Sequence, residues 1–290
     1  MPQVSYSTAG FGKLSLEPAL DSIAAAGFRC VEIACDYHVP GDHPSEQASE
    51  VCRLLQSSGL TATTVHAPAR RTVLGAPTEA WRVEKVQHLA DAVQFTGAIG
   101  AKGLVIHGIP NPMFLPDDCD MRSLYQPMID AMRRSVADLV PEAAAAGIRL
   151  LLENLPYNWD LRAAGEQCDY PLMHMADLRA FANDFPADHV GLIVDVGHSW
   201  TNKVDPPTEI RDAGERLWGT HLQDVDFDDP RDNHWAPLQG GLDWQSILTA
   251  LQDVDYQGTY TFETVMPQSG ETPDELARLS FAAAREWGIV

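Results

Sequence analysis

Lysine is scarce in this chain. There are four, Lys13, Lys85, Lys102 and Lys203, and they are scattered. Basic residues number 20 against 41 acidic ones, so the formal net charge is −21. A mean field of that sign repels a polyanion, and only a strong local basic patch would rescue nucleic-acid binding. Long hydrophobic runs are also missing. No apolar stretch approaches the roughly 20 residues that cross a bilayer. The opening MPQVSYSTAG has neither the basic segment nor the apolar stretch of a secretory signal, so the chain is expected in the cytoplasm. Five cysteines (Cys30, Cys35, Cys52, Cys119, Cys168) are an odd number with no CxxC pair, which argues against a disulfide framework or a zinc knuckle. No GxGxxG opens the first helix, so nothing marks a dinucleotide-binding, doubly wound sheet.

What is present is a core and a rhythm. Hydrophobic residues make up 45% of the 290, ordinary for a soluble globular protein. Eight β-type stretches are expected: Gln3–Thr8, Cys30–Ala34, Leu60–His66, Gly103–His107, Ile148–Leu155, Val190–Asp195, Leu217–Leu222 and Gly258–Glu263. Helix-forming sequence follows each: Leu16–Ala26, Ser45–Ser57, Thr78–Ile99, Met121–Ala146 with a bend at Pro141, Pro171–Asn183, a weak short helix, Asp243–Leu251 and Thr272–Glu286. Regular alternation implies a parallel sheet. Eight such units at this length fit a closed (β/α)8 TIM barrel, which takes about 250 residues. The expected fold is therefore α/β, one barrel domain over residues 1–290, with no linker or repeat.

In such a barrel the active site sits at the carboxyl ends of the strands. Those ends can be read directly. The third strand ends at His66, the fourth at His107, the fifth at Glu153 and the sixth at Asp195, with His198 just beyond. The seventh carries His221 near its end, and the eighth ends at Glu263. The loop after the seventh adds Asp232 and His234. The remaining histidines (His38, His43, His88, His174, His189) fall in loops, helices or a strand start and are expected to be structural or at the surface. A single histidine or glutamate at a strand end is more often a hydrogen-bonded structural residue than a ligand. Six consecutive strands ending in His, Asp or Glu are different. Converging acids repel, and burial raises their pKa values, unless a cation neutralises them. A divalent metal is the simplest resolution.

The motifs LLENLP, VDVGHS, HLQD, DNHWAPLQGGLDW and FET resemble the xylose isomerase-like barrel superfamily, from the first strand to the eighth. That group holds sugar isomerases and epimerases, inosose-type dehydratases and type IV apurinic endonucleases. The epimerase branch implies one divalent metal on Glu153, Asp195, His221 and Glu263, with His198 touching a substrate oxygen. The endonuclease branch implies three zinc ions, with His66, His107, Asp232 and His234 as further ligands and His198 another possible one. Arg231 is the nearest counterpart of the arginine that follows the seventh-strand histidine in epimerases. The resemblance also implies a homodimer.

Charge separates the branches. Arg70, Arg71, Arg122, Arg162, Lys203 and Arg231 surround the expected mouth, but Asp117, Asp118, Asp120, Asp226, Asp228 and Asp229 crowd the same loops. That is a poor platform for a phosphate backbone. The loop TVMPQSGETPDE after the eighth strand has no basic residue, so an unphosphorylated sugar, keto-sugar or cyclitol is expected. The leading expectation is a metal-dependent isomerase or epimerase working by proton transfer through an enediolate held by the metal. Glu153 and Glu263 would be the acid–base pair. His66, His107, His198, Trp200 and Arg231 are the expected substrate contacts. Trp159 and Trp235 are further candidate walls, and Trp81, in a helix, is expected to pack. A dehydratase acting on an inosose at the same site, and a three-zinc phosphodiesterase, are the alternatives. The donor set suits Mn, Co, Mg or Zn.

Overall fold

Each strand expected from the sequence forms, ending within two residues of its expected limit. A computed structural model of the chain describes residues 3–68, 73–109, 120–156, 170–229 and 231–290. The strands are β1 (Gln3–Ser7), β2 (Cys30–Ala34), β3 (Thr61–His66), β4 (Gly103–His107), β5 (Arg149–Glu153), β6 (Val190–Asp195), β7 (Leu217–Leu222) and β8 (Thr259–Phe262). They pair in parallel in sequence order, and β8 returns to β1 to close the barrel. Outside lie α1 (Leu16–Ala26), α2 (Ala48–Ser58), α3 (Glu79–Ala98), α4 (Met121–Ala146), α5 (Met175–Ala182), α6 (Val196–Thr201), α7 (Pro206–Ala213), α8 (Trp244–Asp253) and α9 (Pro273–Glu286).

Several helix limits depart from expectation for local reasons. The second helix starts at Ala48 because Pro44–Gln47 winds into a tighter 3-10 turn. The helix expected from Pro171 starts at Met175. Leu172 holds φ at +59°, and the Glu209 carboxylate accepts the Met175 N–H at the new start. The bend expected at Pro141 does not interrupt α4. Gly147, at φ +66°, ends α4 in the left-handed region and turns the chain into β5. After β6 the sequence forms a helix at once, α6, because the Asp195 side chain accepts the His198 N–H at 2.8 Å and caps it.

The barrel interior is layered. On β5, Leu150 and Leu152 join the large core between sheet and helices, whereas Leu151 joins Val105 and Ile193 in a small separate cluster. Alternate strand residues face opposite sides, so this trio fills the barrel interior. Two residues further along the same strands stand His107, Glu153 and Asp195. Strand stagger sets His107 beside Glu153 and Asp195 beside His221. The parity that buries the trio therefore turns the chemistry-bearing side chains inward. Cys30, Cys35 and Cys52 are free thiols; Cys119 and Cys168 lie outside the described residues. Among the described residues no helix is long and apolar enough to cross a membrane.

Candidate active site

The strand ends converge. Glu153, Asp195, His221 and Glu263 are all buried, and one donor atom from each lies within 4.8 Å of the others. Two flanking groups meet the same test: His66, His107 and Glu153 on one side, His198, Asp232 and His234 on the other. Glu153, 1% exposed, belongs to two of the three.

Four histidines share one design. Each commits one ring N–H to an acceptor behind it and aims its second nitrogen at a carboxylate. His66 donates from Nδ1 to the Ala67 carbonyl at 2.8 Å, and its Nε2 faces Glu153 Oε2 at 3.4 Å. His198 donates from Nδ1 to the Asn154 carbonyl at 2.7 Å, and its Nε2 faces Asp232 Oδ2 at 3.0 Å. His234 donates from Nδ1 to the Glu263 carbonyl at 3.0 Å, with Nε2 at 2.7 Å from the same Asp232 oxygen. His221 turns Nε2 to the Glu32 carboxylate at 3.2 Å. Its Nδ1 lies 2.8 Å from Glu153 Oε1 and 3.2 Å from Glu263 Oε2. A ring nitrogen facing a carboxylate oxygen is repulsive unless a proton or a metal ion lies between them. Glu153 Oε2 is buried and has no aligned hydrogen bond among the described residues, although His107 Nε2 stands 3.2 Å away. Imidazole lone pairs and dry carboxylate oxygens turned to common points are the donors of a divalent cation. On this chemistry the residues fit one.

The electrostatics of the cluster carry the same tension. Burial lowers every histidine here, yet Glu263, Glu32 and Glu153 raise His221 well above its ordinary value. Asp195 and Asp232 do the same to His198 against its burial. Burial also opposes the charged forms of His66 and His234, but Glu153 lifts the first to about 9 and Asp232 the second to about 10. Burial leaves His107 lowered. Burial pushes Glu153 up, but His221, His107 and His66 hold it well below the usual carboxylate range. Burial, and then the charge of Asp232, raises Asp195.

Sequence reasoning missed the residues behind the cluster. Glu32 of β2 is fully buried, with Thr64 donating to it at 2.8 Å and His221 on its other side. Its signal is a carboxylate in the middle of the apolar strand CVEIA. Gln223 donates to Asp195 at 3.0 Å and to Asp232 at 2.8 Å, while its carbonyl accepts the His234 N–H at 2.7 Å. Asn154 clamps β5 to β6 by accepting the Asp195 N–H and donating to the Asp195 carbonyl. Asp224, at the end of the HLQD motif, stays outside the cluster. It accepts from Val225 N, Leu238 N, Leu242 N and Trp244 Nε1, all at 3.1 Å or less, and so ties down the loop that carries Asp232 and His234. Gly240 is required there, because a Cβ would stand 2.4 Å from an Asp224 oxygen.

Other expected contacts are placed differently. The Arg231 side chain is 67% exposed and paired with Asp229, so it is not part of the buried cluster. Trp200 is half-buried and stacks on Phe227 with ring centroids 4.3 Å apart; Phe227 was not anticipated. Trp235 is half-buried and bridges its backbone to Asp224. Trp81 is half-buried in α3. Arg122, Lys203 and Asp120 are exposed. Arg70, Arg71, Asp117, Asp118, Trp159 and Arg162 lie outside the described residues.

Comparison with known proteins follows the same lines. D-psicose 3-epimerase of Enterocloster bolteae is 30% identical over 96 residues, 33% of this chain and 30% of that one. An uncharacterized protein, y4fM, of Sinorhizobium fredii is 26% identical over 186 residues, 64% of this chain and 54% of that one. The match thus spans about half the length of one curated relative and a third of the other. A crystal structure of D-psicose 3-epimerase in the presence of D-fructose superimposes with a TM-score of 0.76 at 18% identity, covering 99% of both chains. The 3-keto-D-glucoside 4-epimerase YcjR from E. coli gives 0.76 at 20% identity, covering 99% of this chain and 100% of that one. At such identity these structures share a fold. A family model for the xylose isomerase-like TIM barrel matches residues 20–287, from α1 to the end of α9. With that match over a closed eight-stranded barrel, the chain belongs to the xylose isomerase-like TIM barrel family.

Proposed function

We propose that the chain is a divalent-metal-dependent isomerase or epimerase of a small unphosphorylated sugar, a keto-sugar or cyclitol. The observation that carries this reading is the buried quartet Glu153, Asp195, His221 and Glu263, with donor atoms within 4.8 Å of one another. The epimerases of similar fold act on small sugars by name, which supports the substrate class. Residues 264–275, beyond β8, contain no lysine or arginine, which supports a substrate without phosphate.

Glu153, Asp195, His221 and Glu263 would hold the metal. A divalent cation bound there supplies Lewis acidity toward adjacent carbonyl and hydroxyl oxygens of a sugar. Glu153 and Glu263 are the proton carriers. Glu153 Oε2, ionised and without an aligned hydrogen bond among the described residues, takes a proton from the carbon next to the carbonyl. Glu263 returns one to the resulting enediolate. Two carboxylates are needed because inversion at carbon requires removal on one side and delivery on the other. His198, together with His66 and His107, meets substrate oxygens. Val105, Leu151 and Ile193 close the barrel below and keep the carboxylates dry. Trp200 and the half-exposed Phe227 offer a flat apolar face to a sugar ring.

The test is metal content per chain in protein purified without added metal or chelator, followed by a panel of ketoses and inososes in deuterated water. About one metal per chain and solvent deuterium at the carbon next to the carbonyl are expected. Release of water from an inosose would reassign the same carboxylates to a dehydratase. A second reading draws on the two flanking ligand groups. Three donor sets, two of them sharing Glu153, can hold three zinc ions, as a phosphodiesterase would require. Close to three zinc per chain and cleavage of a phosphodiester would replace the isomerase with it.

A further inference from the structure

At the amino-terminal end of the barrel, opposite the carboxylate cluster, the strands open onto a cavity of about 700 Å³. That volume lies within the range of small-molecule sites, about 300–1,000 Å³. Leu151 lines it, and Leu151 with Val105 and Ile193 also closes the barrel beneath Glu153. The cavity is therefore separate from the candidate active site.

Its wall holds a cation whose nearest carboxylate among the described residues is a distant one. Arg149, the first residue of β5, lays its guanidinium over the Trp218 indole. Stacking occupies one face of the guanidinium and leaves its in-plane N–H donors free. The Arg149 side chain is only 20% exposed, and its Nε–H is buried with no hydrogen-bond partner among the described residues. Asp188 approaches to 3.9 Å, but that carboxylate is 89% exposed and hydrated. A buried donor left unpaired is rare and needs an explanation. Lys102 lines the same cavity. The acids that line it are otherwise engaged: Glu215 pairs with Arg179 at 2.7 Å, and Asp255 accepts from the Gln257 amide at 2.9 Å. In a chain of net charge −21, this end gathers two cations around a hollow walled by Trp218 and Tyr256.

We infer that this cavity binds a small organic anion, whose carboxylate or phosphate pairs with Arg149 and Lys102 while its apolar body lies against Trp218 and Tyr256. A planar guanidinium fork matches such a group in two-point geometry, and the aromatic walls take the body. The inference does not depend on the proposed catalytic function.

Calorimetric titration of the full chain with phenyl phosphate, benzoate and inorganic phosphate tests it. Saturable binding of at least one aryl anion, with a dissociation constant below about 1 mM, is expected. Phenyl phosphate against benzoate separates the two anion types, and inorganic phosphate alone measures what the body adds. Arg149→Met should weaken binding about ten-fold or more, and Lys102→Met about three-fold. Glu153→Gln should leave it unchanged, which places the ligand at the amino end. If Arg149→Met does not fold by circular dichroism, Arg149→Lys is read in its place, since it keeps the charge and loses the fork. The inference is overturned by no saturable heat from any probe, by loss of binding in Glu153→Gln, or by wild-type affinity in both cavity variants.

Discussion

On β5 the inward-facing residues run Arg149, Leu151, Glu153: a cation at the amino end, an apolar residue in the middle, an acid at the carboxyl end. On β4 and β6 the same steps read Gly103, Val105, His107 and Gly191, Ile193, Asp195. One end of the barrel thus gathers carboxylates and imidazoles, the other a guanidinium and glycines, and a thin apolar layer separates them. The contrast follows from geometry. Parallel strands put all carboxyl termini on one side, so residues that end strands become neighbours although far apart in sequence. Glu153 and His221 meet at 2.8 Å across 68 positions. The amino end receives strand beginnings, where small residues leave room.

The sharpest test of that contrast compares two positions on one strand. Glu153→Gln removes a charge that belongs to two donor groups and is expected to cut turnover about a hundred-fold or more. It is measured as steady-state rate on the sugar identified by the panel. Turnover within a factor of a few of wild type would remove Glu153 from proton transfer. Leu151→Ala, two residues away, should instead destabilise the fold by about 2–5 kcal/mol, with metal per folded chain unchanged. The readout is the urea midpoint beside metal content. Metal loss at an unchanged midpoint would make the apolar layer part of the site and dissolve the distinction.

Glu32 tests how deep the carboxyl-end chemistry reaches. It sits below the strand-end carboxylates, yet it fixes which His221 nitrogen faces Glu153. Such partners behind metal ligands typically change affinity about 10–100-fold. Glu32→Gln keeps the shape and loses the charge, so a weakening of about ten-fold is expected, measured by competition with a metal indicator. Wild-type affinity in a folded Glu32→Gln would confine the chemistry to the strand ends.

The strand ends are legible in the sequence because an apolar run that stops on an acid or a histidine states both burial and direction. Asp195, His198, His221 and Glu263 are readable on that rule. Glu32 is not, because it interrupts its strand in the middle, and only the barrel's inward parity shows that it meets His221. Gln223 carries no charge and gives no signal until its amide is seen between Asp195 and Asp232. Arg231 shows a different limit of the sequence. Its position suggests the mouth of the site, but Asp229, two residues back, takes the guanidinium locally. The unanticipated start of α6 has the same kind of cause, a side chain capping its own neighbour, which sequence spacing does not rank against a loop.

The smallest expected effect asks whether pH sensitivity at the carboxyl end belongs wholly to the ligand cluster. His174 lies just ahead of α5, its Nδ1 3.0 Å from the buried Glu209 carboxylate that also accepts the Met175 N–H. That hydrogen bond raises His174 above its ordinary value, with burial opposing. A histidine raised on folding binds its proton more tightly in the native state. Its stabilisation is therefore full below the unfolded value of about 6.5 and is lost as pH rises through the higher folded value. The pair is partly exposed, so its worth is about 0.5 kcal/mol. The melting-temperature difference between wild type and His174→Asn, taken from pH 5 to pH 9, should favour wild type at the acid end and shrink as pH rises. The cluster histidines are the same in wild type and variant, so their contribution cancels in that difference. A constant difference would mean that His174 acts through packing alone, leaving the cluster as the seat of the pH response.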